Sequence, residues 1–136
     1  MDIRENILPV SRPVGSEEEI KSLSEVIESG WWGKGPKVAE FEKKFAEMVG
    51  AKYAVAVTSN THGLDLVLKA KGIEHADVIS PTMSFATTAI APLWNNCTST
   101  IVDVERDTLC IDPNSVKENL LENTKSIIAV NMAGVP

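Results

Sequence analysis

The feature that most constrains the fold is an alternation of strand-like and helix-like segments that begins at residue 53. Residues 53–58 (Tyr-Ala-Val-Ala-Val-Thr) are short, β-rich and apolar on both parities. That pattern suits a strand covered on both faces, as in a parallel sheet. Leu64, Val67 and Leu68 follow at helical spacing, and Gly72 supplies the stop. Residues 77–80 form the next strand signal, cut off by Pro81, and Ser84 is placed to cap a helix carrying Ala86, Ala89, Ile90 and Leu93. Residues 100–104 are a third strand. Asp112 and Pro113 then read as N-cap and first-turn proline of a helix with Val116, Leu120 and Leu121 on one face. Residues 126–130 complete the series as a fourth strand. The order β-α-β-α-β-α-β predicts an α/β fold, a mostly parallel sheet flanked by helices and joined by right-handed crossovers.

Upstream of the alternation, residues 1–15 read as an extended arm punctuated by Pro9, Pro13 and Gly15. Ser16 with Glu19 three residues on is a capping box. Ile20, Leu23, Val26 and Ile27 share one helical face, ended by Gly30. Trp31 to Gly35 is a glycine-rich loop, and Pro36 fits the first turn of a second helix with Val38, Phe41, Phe45 and Met48 as its stripe and Gly50 as its stop. With 136 residues, the chain is expected to hold one domain, running from 16 to 136 behind the arm.

Charge and composition narrow the function. Thirteen basic against nineteen acidic residues give −6, a balance that argues against nucleic acid, whose phosphates require clustered cations. No run reaches 18 apolar residues, and the first residues lack the basic and apolar regions of a signal peptide, so no membrane partner is expected. Two cysteines outside any C-x-x-C pair and two histidines without partners at ligand spacing predict neither a disulfide framework nor a metal site. The expectation is a soluble, reduced, cytoplasmic protein.

In an open α/β sheet, ligands bind beyond the carboxyl ends of the strands. Ser59, Asn60, Thr61, His62 and Gly63 sit there, between the first strand and the next helix. A helix start offers unpaired N–H groups and a partial positive charge to a phosphate. Asn60 tolerates the left-handed backbone that a tight turn can require. Ordinary capping explains the same residues, and His62 reads as a helix-start residue rather than an acid or base. Phe85, just past the second strand, either stacks on a flat ligand or fills the core. Trp31 and Trp32 line a ring pocket, anchor an interface or fold back on their own body. Asp103, Glu105, Asp107 and Asp112 suit a cation or, more simply, turns and caps.

Taken in register, these segments resemble the N-terminal part of the DegT/DnrJ/EryC1/StrS family of PLP-dependent sugar aminotransferases. Leu8 to Pro13 is similar to the family's arm. Gly35-Pro36-Lys37-Val38-Ala39-Glu40-Phe41-Glu42 resembles G-P-x-V-x-x-F-E, and residues 46–57 resemble A-x-x-x-G-A-K-Y-A-V-A-V. Ser59-Asn60-Thr61 stands where the family has S-G-T, residues 77–85 resemble E-V-I-x-P-x-x-T-F, and residues 102–113 resemble V-D-V-x-x-D-T-x-x-I-D-P. The resemblance implies the large domain of the aspartate aminotransferase fold (fold type I). It implies that Ser59, Asn60 and Thr61 grip the PLP phosphate, that Phe85 stacks on the pyridine ring, and that Thr88 touches cofactor or substrate. Asn60 replaces the family's glycine, and Asn131 replaces the histidine of V-H-x-x-G-Q-P, a substrate contact.

The resemblance further implies a nucleotide-linked keto-sugar substrate, an amino donor such as glutamate and a homodimer to which Trp31 and Trp32 contribute. It assigns no catalytic residue here, because the Schiff-base lysine and the aspartate that pairs with the pyridine nitrogen lie further along a longer chain. The expectation is therefore a truncated N-terminal portion, inactive alone. Alternatives are the family's sugar dehydratase branch, in which a histidine replaces the lysine, and a non-catalytic phosphate-ligand or interaction module.

Overall fold

The computed structural model describes residue 9 and residues 11–135. The other arm residues, 1–8 and 10, lie outside the described set, as does Pro136; Pro9 and residues 11–15 are exposed and carry no regular structure. The chain divides into two units, one ending at Ala56 and one beginning at Val57.

The first unit holds two helices, α1 (Glu17–Ser29) and α2 (Pro36–Val49). The expected capping box closes α1, with the Ser16 hydroxyl accepting from the Glu18 N–H while the Glu19 carboxylate accepts from the Ser16 N–H at 2.6 Å. The Ser16 hydroxyl also donates to Glu19, and these bonds hold the Glu19 carboxyl below its ordinary pKa. Pro36 opens α2, and both helices end on a left-handed glycine, Gly30 at φ 70° and Gly50 at φ 67°. Their apolar stripes remain open, with Ile20, Leu23, Ile27, Phe41 and Met48 all exposed.

The second unit runs α3 (Asn60–Ala70), β1 (Asp77–Pro81), α4 (Thr87–Trp94), β2 (Thr98–Val102), α5 (Pro113–Glu118) and β3 (Thr124–Ile127), then a short 3₁₀ turn (Met132–Gly134). The three strands form a parallel sheet in the order β2-β1-β3, so the predicted α/β architecture is what the chain adopts. β1 is central and buried along its whole length. Its successive side chains point to opposite faces. Val78 packs with Leu68 of α3, Ala76 and Cys97, and Ile79 packs with Val102 and Val116 on the other side. Complete burial of either side chain stabilises the sheet by about 1.5–3 kcal/mol.

Asp77, fully buried at the start of β1, joins all three strands. Its carboxylate accepts the Thr100 hydroxyl at 2.6 Å from β2 and the Thr124 hydroxyl at 2.8 Å from β3. The register with β3 skips Lys125, so that Thr124 faces Asp77 while Ser126 faces Val78.

Four expectations are corrected. The helix after Asp112 stops at Glu118, so Leu120 and Leu121 do not lie on its face and stand exposed. Residues 53–58 form no strand: among the described residues none pairs with them, and Tyr53 and Val55 stand exposed. An apolar run is extended but not a strand until a neighbour supplies a ladder. Ser84 does not cap a helix; its hydroxyl reaches the carbonyls of Pro81 and Phe85, and α4 starts three residues later. The third and fourth strands each begin two residues earlier than expected, and Val104 leaves the sheet for an antiparallel bridge to Ile111.

Candidate functional site

The carboxyl end of β1 and the first turns of α3 and α4 form one constellation in the second unit. Ser59 caps α3, its hydroxyl accepting the His62 N–H at 3.3 Å. The Gly63 N–H takes the Ser59 carbonyl. That leaves the N–H groups of Asn60 and Thr61 without a partner among the described residues, as the first turn of any helix requires. Asn60 does not use a left-handed backbone; it is the first residue of α3, and positive φ falls elsewhere. The turn therefore closes without the glycine conformation that the S-G-T comparison implied.

The Thr61 hydroxyl lies 2.9 Å from the Thr87 hydroxyl, at the start of α4. Two helix N-termini with their positive ends are thereby fastened together. Only one hydroxyl hydrogen is consumed in the contact, so the other remains able to donate. A second link, from the Asn95 amide to the Asp65 carboxylate at 3.0 Å, ties α4 back to α3. Lys69 bonds the same carboxylate at 2.9 Å and, with Asn95, holds it below the ordinary range.

Phe85 lies in the loop between β1 and α4 and is 77% exposed, so it does not fill the core. The Thr88 N–H bonds the Phe85 carbonyl at 2.9 Å and fixes that loop; Thr88 itself is buried. His62 presents Nδ1 to the hydroxyls of Thr58 (3.0 Å) and Ser59 (2.9 Å), which pins its ring at the helix start. Asn131 is exposed, and its carbonyl accepts the Gly134 N–H.

Trp31 and Trp32 belong to the first unit. The Trp31 indole N–H donates to the Lys34 carbonyl at 2.9 Å, and that of Trp32 reaches the Ile27 carbonyl at 3.4 Å. The acidic residues after β2 take local roles, Asp112 accepting the Asn114 N–H and Glu105 the Thr108 hydroxyl. Among the described residues no trio of His, Cys, Asp or Glu is placed to hold a metal ion, and no helix is long and apolar enough to cross a membrane.

Sequence reasoning passed over Thr87 and Glu42. Glu42 in α2 accepts the Ala56 N–H at 2.9 Å and the Lys34 ammonium at 3.0 Å, bonds that lower its pKa, with the Ala56 bond the larger cause. Its place in G-P-x-V-x-x-F-E was the only signal. The bare spacing S-x-x-x-x-K occurs twice, at Ser16/Lys21 and Ser29/Lys34. Neither belongs to the constellation: Lys21 lies within α1, and the Lys34 ammonium is held by Glu42.

Residues 13–136 match the family model described as the DegT/DnrJ/EryC1/StrS aminotransferase family. The chain is 44% identical over 132 residues to the spore coat polysaccharide biosynthesis protein SpsC of Bacillus subtilis (strain 168), covering 96% of this chain and 34% of that protein. Among solved structures it superposes on 3-amino-5-hydroxybenzoic acid synthase with a TM-score of 0.85 and 34% identity, over 92% of this chain and 33% of that one. It also superposes on the E coli GDP-4-keto-6-deoxy-D-mannose-3-dehydratase with bound hydrated PLP, at a TM-score of 0.83 and 29% identity, over 90% of this chain and 33% of the other. The chain thus spans about a third of the length of each of these relatives.

Proposed function

The chain belongs to the DegT/DnrJ/EryC1/StrS aminotransferase family, and from that premise we propose that it is the N-terminal, phosphate-gripping part of a PLP-dependent aminotransferase acting on nucleotide-linked keto-sugars. The observation that carries this is the Thr61–Thr87 contact, which joins two helix starts beside an exposed Phe85. The donor set fits the cofactor. The N–H groups of Asn60 and Thr61 and the remaining threonine hydroxyl hydrogen suit a phosphate, with Ser59 holding the turn through its cap, and the Phe85 ring offers a face to a planar heterocycle. Thr88 keeps that face in place by holding the loop at the Phe85 carbonyl. When bound, PLP supplies the electron sink that amine transfer needs.

The polysaccharide role of SpsC supports a place in amino-sugar biosynthesis, with glutamate as the amino donor, Asn131 as a substrate contact and a cytoplasmic homodimer as the working form. The chain spans about a third of its relatives' length, and we place none of its ten lysines in the cofactor-tethering position, so this chain alone is not expected to move an amine. The likeness to the 3-dehydratase favours a second reading, removal of a sugar hydroxyl on the same cofactor.

Calorimetric titration with pyridoxamine phosphate and with pyridoxamine tests the grip without a tethering lysine. The phosphate-bearing compound is expected to bind at least tenfold tighter. Equal affinities would refute the phosphate assignment.

A further inference from the structure

A cleft of about 350 Å³ lies in the first unit between the end of α1 and the start of α2. Val26, Trp31, Trp32 and Pro36 supply its apolar walls, and Glu25 and Lys37 its charged edge. Its polar side chains are already committed. Glu25 and Lys37 pair with each other at 2.7 Å, which lowers the pKa of the acid and raises that of the base. The Ser29 hydroxyl donates to the Val26 carbonyl and accepts the Trp31 N–H. Both indole N–H groups end on carbonyls of the same unit. What the side chains still offer a ligand is ring face, with Trp31 61% and Trp32 77% exposed.

We propose that this cleft binds a planar heteroaromatic ring by stacking, of the class found as the base of a nucleoside diphosphate. A sugar ring needs donors and acceptors around its rim; the polar side chains here are committed, and what stays unpaired among the described residues is backbone, such as the Lys37 and Val38 N–H groups at the start of α2. An aromatic ring needs only a face. The size falls at the lower end of small-molecule pockets. Gly35 shows that the wall is built to hold its position. A Cβ there would stand 2.4 Å from Cδ1 and 2.6 Å from Nε1 of Trp31, so the indole packs directly against bare backbone. The Gly35 backbone is extended (φ −142°, ψ −161°), open to any residue, so the side-chain space, not the conformation, requires glycine. The choice of a nucleotide base over other planar rings rests on the aminotransferase reading; the stacking geometry does not.

The test is an NMR titration of the chain with uridine, guanosine and ribose, following the indole N–H signals of Trp31, Trp32 and Trp94. The nucleosides are expected to shift Trp31 and Trp32 saturably, leaving Trp94 in α4 unmoved, and ribose to shift none. Trp32→Ala is expected to weaken binding by about 5- to 150-fold, the span that loss of one base–aromatic stack gives. Gly35→Ala keeps both indoles and is expected to weaken it at least about fivefold by displacing Trp31. If Gly35→Ala unfolds α1 or α2 by circular dichroism, the Trp32→Ala result decides. Absence of saturable shifts with the helices intact would overturn the proposal. So would equal shifts from ribose, or indole shifts that follow protein concentration alone and mark a contact between chains. Pyridoxamine phosphate binding reads the other unit, so either proposal can fail while the other stands.

Discussion

Replacing Thr61 by valine separates a ligand-gripping residue from a merely structural one. Valine keeps the branched shape and removes only the hydroxyl that lies 2.9 Å from Thr87. The lost neutral hydrogen bond is half-buried and is expected to cost about 0.5–1.5 kcal/mol of folding stability. In a unit of this size that lowers the thermal midpoint by about 4–8 °C per kcal/mol. The effect on a phosphate ligand is expected to be larger. A hydrogen bond to a charged acceptor contributes about 1.5–3 kcal/mol, equivalent to roughly 10- to 150-fold in affinity. Calorimetric titration with pyridoxamine phosphate measures the second quantity and thermal melting the first. Ser59→Ala is the contrast: it removes the cap that holds the His62 N–H, costs about 1 kcal/mol of stability and leaves the Thr61 hydroxyl in place. If Thr61→Val lowers the melting point yet leaves phosphate affinity within twofold of the parent, Thr61 only fastens α3 to α4, and the assignment of its hydroxyl to the phosphate fails.

Two further outcomes follow from packing and titration. Ile79→Ala removes three carbons from a fully buried site; about 0.8 kcal/mol per carbon plus the cavity term gives roughly 3–4 kcal/mol. Ile101→Ala in the neighbouring strand, where the side chain is 57% exposed, is expected to cost under about 1 kcal/mol; equal costs in urea melts would show that the Ile101 face is covered in solution. Glu42 has its pKa lowered in the folded chain from an ordinary value of 4.5, so its bond to Ala56 contributes fully above that value and is lost as pH falls through the depressed one. The Ala56 amide proton shift is expected to titrate with a midpoint below 4.5 and to stop titrating in Glu42→Gln; a midpoint at or above 4.5 would contradict the bond.

What the sequence made legible was local. The capping box at Ser16 and Glu19, the Pro36 helix start and the Asp112–Pro113 pair each act within a few residues, and each forms as expected. The β-α alternation was legible because burial on both faces leaves a mark on every residue of β1. Residues 53–58 carry a similar mark but no ladder, because pairing depends on a distant neighbour that residue pattern does not specify. Ser84 failed as a cap for a related reason: the Pro81 and Phe85 carbonyls compete for its hydroxyl. At the candidate site, the Ser59 cap was readable from its position, but the Thr61–Thr87 contact spans 26 residues and follows only from how α3 meets α4. The place of Phe85 just past a strand end drew attention to it, the resemblance implied its stacking role, and its exposure separates it from a core phenylalanine.

The buried carboxylate of Asp77 also sets an order of assembly. Its two hydroxyl partners arrive from β2 and β3, the second of them 47 residues downstream. A buried polar group left half-partnered is costly, so β1 paired with β2 alone is an incomplete intermediate. A slip of one residue along β1 would turn Asp77 toward the opposite face and deprive it of both threonines. Both hydroxyl bonds to Asp77 are therefore complete only once Thr124 has been synthesised.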